Sequence, residues 1–137
     1  MNIKALSIKP NFANSIACGL KTVEFRTWKT DYRGELLICA SSSGSKCFVR
    51  GHAICTANLY DIVPYNKAKH FEDLFCDVSP TKEGFAWLLK DIRIIKPFPV
   101  KGKLHLYGVD TKIVYMDNLK IEDDILDYWE DLGLTSS

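Results

Sequence analysis

The sequence predicts an α+β domain: a small β-barrel of about six strands, with short helices at the barrel openings and a C-terminal helix. One observation is that short apolar or alternating segments outnumber helical ones and follow one another with little helical crossover. A second is that hydrophobic residues make up 47% and charged residues 26% of the 137-residue chain. This length and composition are typical of one globular domain.

The strands are predicted where apolar residues alternate or run together between turn residues. These segments are 5–8, 22–28, 36–40, 52–61, 86–95 and 103–109, with 113–116 as a candidate hairpin partner. Segment 36–40 is apolar on both faces, which indicates an interior strand. The apolar parity of the long segment changes across Lys90–Asp91, which predicts a β-bulge. Pro97 and Pro99 are expected to end that strand.

Three segments have helical spacing. In Asn11–Cys18, Phe12 and Ile16 share a face, Asn11 is a candidate cap, and Gly19 is placed for a left-handed stop. Segment 67–76 predicts a second helix. Segment 121–132 predicts a third, which either packs back on the barrel or binds a partner.

Several classes of protein are excluded by what the sequence lacks. No apolar run exceeds five residues, and the first ten residues have no long apolar stretch, so neither a membrane span nor a secretion signal is predicted. Five cysteines, an odd number with no C-x-x-C pair, indicate reduced thiols in a cytoplasmic protein. The three histidines lack metal-ligand spacing and no nucleotide-binding fingerprint occurs, so neither a metal nor a cofactor is expected.

Charge is distributed unevenly along the chain. Residues 1–116 carry a net charge of +7 and residues 117–137 carry −6. We therefore divide the chain into a barrel domain, 1–116, and an acidic helical tail, 117–137, and expect the tail to be dispensable for the fold. A basic body suits a polyanion such as nucleic acid, whereas an acidic helix is a candidate surface for a protein partner.

Residues 19–41 contain most of the charged and polar side chains that could form a functional site. Glu24 and Arg26 lie two apart on one strand face, so their side chains are neighbours, and Lys21 stands at the strand entrance. Arg33 opens the next strand, and adjacency of the two strands would bring all four charged groups to one rim. Three cations and one carboxylate there would attract a phosphate or a polarised carbonyl; the alternative is a solvated surface ion pair.

Other residues could extend such a site. Trp28 and Tyr32 offer flat surfaces for a base. The turn Lys101-Gly102-Lys103 is basic and could contact a phosphate. Cys39 lies in an apolar run and is expected to be an inert buried thiol, and Trp87 is expected in the core.

The spacing G-x-K-x-x-E-x-R, here Gly19 to Arg26, resembles the signature of the ASCH domain family in the PUA-like superfamily. Further ordered segments resemble the same family. They are Ala5–Lys9, Arg33–Ser41, Gly51–Asp61, Phe85–Leu89 and Pro97–Leu104. The resemblance covers about residues 3–110 and includes Ser41 in the R-G-x-L-x-I-x-A-S strand.

The resemblance implies a PUA-like barrel with a cleft around the Lys-Glu-Arg motif. It implies a module that binds RNA or a modified nucleoside through Lys21, Glu24, Arg26 and Arg33. The alternative implied is an enzyme at the same cleft: an amidohydrolase acting on an acylated nucleoside such as N4-acetylcytidine, or a ribonuclease.

In the enzyme alternative, Lys21 acts as base or nucleophile and Glu24 orients it or carries the proton. The acetylcytidine-cleaving branch has Thr at the position of Glu24. The carboxylate that this branch takes from a later helix has Glu72, Asp73 and Glu83 as candidates here.

Overall fold

A computed structural model gives the fold of the chain and describes residues 1–64 and 84–136. The predicted helix over 67–76 and the candidate carboxylates Glu72, Asp73 and Glu83 lie outside the described residues.

The described part of the chain forms a mixed six-stranded sheet with two helices, which confirms the α+β class. The strands are β1 (Asn2–Ile8), β2 (Val23–Arg26), β3 (Gly34–Ala40), β4 (His52–Pro64), β5 (Phe85–Pro99) and β6 (Tyr107–Asp110). The helices are α1 (Pro10–Ala17) and α2 (Glu122–Asp131). The strand order is β2-β5-β4-β3-β1-β6, and β1 and β3 are parallel while the other neighbours are antiparallel.

The sheet is open, whereas a closed barrel was predicted. Strands β2 and β6 are its two edges, and each has only four residues. Strand β6 pairs with β1 at Asn2–Ala5, so the described ladder stops short of Ser7 and Ile8. A seam, defined here as the gap between β2 and the last residues of β1, therefore remains. One side-chain contact crosses it: the Arg26 guanidinium donates to the Ser7 carbonyl oxygen over 2.9 Å.

Strand β5 carries the predicted bulge. Its pairing with β4 slips between Thr56 and Asn58, and Asp91 opposite has a φ of 52°. Strand β5 continues past Pro97 and ends at Pro99, the second of the two prolines that were expected to end it. Proline is tolerated there because β2, the neighbour of β5 on its other side, pairs with Phe85–Leu88 alone.

The ends of helix α1 are set by a proline at its start and a glycine after its end. Its N-cap is Lys9, which makes no side-chain capping bond, and Pro10 supplies the first helical residue. The expected cap at Asn11 is therefore wrong. The expected stop is confirmed, because Gly19 has a φ of 77° in the left-handed region that glycine adopts readily.

Helix α2 packs on the main core, as one of the two interpretations of its sequence predicts. Ile125 and Trp129 are buried in the cluster that also contains Trp87 and the inward residues of α1. This packing argues against the expectation that residues 117–137 are dispensable for the fold, which stays a prediction. The division of the chain into two domains stays a prediction.

Other sequence expectations are met in part. Trp87 and Cys39 are buried, and burial raises the pKa of the Cys39 thiol to about 11, as expected of an inert thiol. Segment 113–116, predicted as the hairpin partner of the strand at 103–109, instead forms a single bridge to β5, from Tyr115 to Ile95, and β6 pairs with β1. In the described ranges, no helix is long and apolar enough to cross a membrane.

Candidate functional site

Strand β2 and the turn before it bring three charged side chains together at the seam. Lys21 and Glu24 are only 3% and 5% exposed, which sets them apart from surface ion pairs. Lys21 Nζ lies 3.7 Å from Glu24 Oε1, and Arg26 Nη2 lies 3.5 Å from Glu24 Oε2. The interpretation of these residues as a solvated surface pair is therefore wrong for Lys21 and Glu24.

Aromatic rings surround the Lys21 ammonium. Its Nζ lies 4.9 Å from the centroid of Phe12, on α1, and 6.0 Å from that of Phe25, on β2. Ring faces attract cations, and these distances are within the range of such contacts. The rings and the Glu24 carboxylate thus hold the ammonium at one position on the cavity wall.

Neighbouring groups stabilise the ionised form of the Glu24 carboxyl, whereas its burial destabilises that form. The Phe25 amide donates to Glu24 Oε1 over 3.2 Å. Burial raises the pKa of Glu24 above its ordinary value of 4.5, although Lys21, Arg26 and the Phe25 amide each act to lower it. The Glu24 carboxyl therefore takes up a proton at a higher pH than an ordinary glutamate does.

This raised pKa predicts how stability changes with pH. As pH rises through the unfolded-state pKa, the unfolded carboxyl ionises while the folded one still holds its proton, so the folded state loses stability. Glu24→Gln removes this component. We expect the unfolding free energy of the wild type, relative to Glu24→Gln, to fall between about pH 4 and the higher folded-state pKa. Denaturant unfolding of both proteins at several pH values measures it, and a constant difference would contradict the assignment.

Two cavities adjoin at the seam. The inner cavity, of about 370 Å³, is lined by Ser7, Ile8, Lys9, Phe12, Lys21, Glu24, Phe25, Arg26 and Ser41. The outer cavity, of about 820 Å³, is lined by Ser7, Ser41, Ser42, Gly51 and the segment 99–104. Because Ser7 and Ser41 line both, the cavity with the buried charges is a neighbour of the cavity lined by the basic turn Lys101-Gly102-Lys103.

Two close contacts shape this region. A Cβ at Gly102 would lie 2.8 Å from Ser7 Oγ, so only glycine lets the basic turn approach β1 this closely. The buried Asn14 of α1 fixes the loop that follows Ser41. Its Nδ2 donates to the Val49 carbonyl oxygen over 3.2 Å, and the Val49 amide donates to Asn14 Oδ1 over 3.1 Å.

The structure brings together six of the predicted site residues and leaves three apart. Around the two cavities lie Lys21, Glu24, Arg26, Ser41, Lys101 and Lys103. Arg33, Trp28 and Tyr32 are not among the lining residues. Trp28 stacks on His105, and the Tyr32 hydroxyl donates to the Glu35 carbonyl oxygen.

The expectation that Arg33 enters the cleft is wrong. Its guanidinium donates to the Thr30 and Tyr32 carbonyl oxygens and lies 3.9 Å from Asp61 Oδ1. Strands β2 and β3 are separated by β5 and β4, so the assumed adjacency does not exist. Arg33 precedes β3 and Ser41 follows it. Seven strand residues therefore lie between the two, which places them roughly 26 Å apart along the strand.

Some lining residues were not predicted from the sequence. Lys9 and Phe12 lie at the β1–α1 junction, and Phe25 lies beside Glu24. The signal for Lys9 was its place at the end of the first strand, next to a helix that starts at Pro10. No periodicity marks Phe12 as a wall of the cavity, because its spacing also fits a core position.

Comparisons with known proteins agree with this architecture. The sequence profile of the ASCH domain matches residues 6–99. The chain belongs to the ASCH domain family.

The curated relatives that match the chain are much longer proteins. The human and mouse proteins named activating signal cointegrator 1 are each 25% identical over 130 residues, covering 79% of this chain. The chain spans only 22% of the length of these relatives.

Solved structures of an ASCH protein from Zymomonas mobilis share the fold. The crystal structure has a TM-score of 0.63 at 22% identity and covers 98% of this chain and 96% of that one. A single-residue variant of it gives a TM-score of 0.62 at 20% identity, covering 97% and 98%. At this identity the likeness shows the fold alone.

Proposed function

We propose that this ASCH domain binds RNA, with one nucleoside unit, modified or not, in the inner cavity and the adjoining phosphates along the basic turn. The observation that carries the proposal is that the two cavities are neighbours and share Ser7 and Ser41 as lining residues. A buried charged group at the end of a basic groove suits a ligand that has both a base edge and a charged backbone.

The inner cavity has the character of a small-molecule site. Its volume is within the usual range of about 300–1,000 Å³, and its apolar walls surround a few convergent polar groups. Lys21 and Arg26 would donate to a base carbonyl or a phosphate, Glu24 would accept from an exocyclic amine, and Phe12 would supply an apolar face.

The outer cavity supports the assignment of the phosphates. Lys101 and Lys103 are exposed on either side of Gly102, and Lys9 adds a cation at the inner cavity. Exposed lysines contact phosphates without reading sequence, and such contacts weaken as salt rises. RNA affinity should therefore depend both on the charged residues of the inner cavity and on the salt concentration.

Substitution of Lys21 tests the proposal. Lys21→Arg keeps the positive charge, whereas Lys21→Met keeps the length and removes the charge. We expect single-stranded RNA to bind Lys21→Arg within about threefold of the wild type. We expect it to bind Lys21→Met about tenfold or more weakly, because a charge-assisted hydrogen bond is lost. Fluorescence anisotropy with a labelled RNA at about 50 and about 200 mM salt measures this.

A matched control makes the result specific. Lys112→Ala removes an exposed lysine that follows β6. This lysine lies near the start of β1, whereas Ser7 lies near its other end. It should leave RNA affinity nearly unchanged at either salt concentration. Equal affinity of the wild type, Lys21→Met and Lys112→Ala would contradict a role for the inner cavity in binding.

A second candidate function is hydrolysis of an acylated nucleoside at the same cavity. The observation that favours it is the buried Lys21–Glu24 pair, in which 3.7 Å separates Nζ from Oε1 and burial raises the pKa of Glu24, as suits a group that carries a proton. Incubation with acylated nucleosides tests it. Turnover by the wild type that is lost in Lys21→Arg would favour the enzyme, since arginine cannot become a neutral base at ordinary pH.

A further inference from the structure

One face of the Trp28 indole is covered by the imidazole ring of His105. The indole centroid lies 4.7 Å from that of His105, with an interplanar angle of 14°. This is a parallel stack of two flat heteroaromatic rings. Beside it, Trp28 meets the buried Trp87 edge-on, with centroids 4.8 Å apart, and the Trp28 carbonyl oxygen accepts from Trp87 Nε1. Trp28 is therefore fixed from the core side.

His105 is held less firmly than Trp28. It is exposed, and its φ of 60° is in the left-handed region that residues other than glycine adopt at an energetic cost. It lies in the irregular segment 100–106 between β5 and β6, whose residues Lys101–Leu104 line the outer cavity. Movement of the His105 side chain away from Trp28 would uncover a flat aromatic surface.

The position of Trp28 fits the path of a bound strand. Trp28 is two residues beyond Arg26, so their Cα atoms are no more than about 7 Å apart. Arg26 lines the inner cavity, and Leu104, the neighbour of His105, lines the outer one. An RNA strand with one base in the inner cavity and its phosphates at Lys101 and Lys103 would pass beside this stack.

We propose that Trp28 is a second base-binding subsite and that His105 occupies it in the free protein, where the imidazole takes the place of a nucleobase. Binding of RNA exchanges His105 for the base that neighbours the one in the inner cavity. The inference rests on the proposed function and adds a second nucleotide to it. Base stacking on an aromatic ring tolerates any base, so this subsite adds affinity without adding sequence preference.

The test compares the four nucleoside 5′-monophosphates with a labelled single-stranded RNA about ten nucleotides long, which is within the site sizes of such binders. His105→Asn removes the competing ring and keeps a residue that tolerates the left-handed conformation. We expect it to bind the RNA about three- to tenfold more tightly than the wild type, because the base no longer displaces an aromatic stack. The affinity for monophosphates should not change.

Trp28→Leu tests the same subsite by removing the ring on which the base would stack. It should weaken RNA binding about fivefold or more while leaving the monophosphates unaffected. If its unfolding temperature shows that it does not fold, His105→Asn decides alone. Unchanged or weaker RNA binding by His105→Asn would overturn the subsite while monophosphate binding upheld the inner cavity. A wild type that binds neither RNA nor monophosphates would overturn the proposed function and the subsite with it.

Discussion

Replacing Trp129 with alanine is expected to lower the free energy of unfolding by about 3–5 kcal/mol, the usual cost of removing a large buried aromatic side chain. Trp129 is fully buried against the main core, although it belongs to a helix whose other residues are mostly acidic and exposed. Its removal would leave a cavity between α2 and the sheet. Urea denaturation followed by circular dichroism measures the change.

Two further variants of α2 separate packing from other effects. Leu126→Ala truncates an apolar residue of the same helix that is 39% exposed, and it should cost less than about 1 kcal/mol. Trp129→Phe keeps most of the ring and removes an indole N–H that has no hydrogen-bond partner in the described structure. It should therefore be much milder than Trp129→Ala. Equal stability of Trp129→Ala and Leu126→Ala would show that α2 is not part of the core.

Replacing Asn14 with alanine is expected to cost about 2–4 kcal/mol, because it leaves two buried backbone groups without partners. Asn14 is buried and pairs with both the amide and the carbonyl of Val49, which is itself fully buried. The same substitution should weaken RNA binding, since this pair fixes the loop that follows Ser41. Denaturant unfolding and RNA anisotropy on one preparation measure both effects.

The pH dependence of Asn14→Asp identifies the cause. The new carboxylate would face the carbonyl oxygens of Pro10 and Val49, which now accept from Asn14 Nδ2. Burial and repulsion would raise the pKa of this Asp, so the variant should be more stable at low pH and lose stability as pH rises through the unfolded-state value. Ser15→Ala, on the exposed side of the same helix, should change stability by less than about 0.5 kcal/mol. A pH-independent loss in Asn14→Asp would point to a cause other than this hydrogen-bond pair.

Local features of the fold could be predicted from the sequence because they depend on neighbouring residues. The bulge at Lys90–Asp91 follows from a change of parity, and the end of α1 follows from Gly19. The proximity of Glu24 and Arg26 follows from their two-residue spacing. In each case the signal and the structure lie within a few residues of each other.

Features that depend on strand order could not be predicted in this way. Arg33 was expected beside Glu24 because their strands are consecutive in sequence, but β2 pairs with β5, which comes three strands later. The role of Asn14 depends on Val49, 35 residues away. The stack of Trp28 on His105 joins residues that no pattern relates. Such contacts are fixed by packing between distant segments, which carry no common period.

The open sheet of the described residues also bears on the pairing of strands between two copies of the protein. An open sheet exposes two rows of unpaired backbone groups, along which a second copy could add its own strand. Here both edges are only four residues long, and the edge of β1 beyond Ala5 is occupied by Arg26 and approached by Gly102. Short edges and an edge blocked by a charged side chain are features that natural sheets use against aggregation. The residues that shape the candidate site thus also keep this edge from templating β-sheet growth.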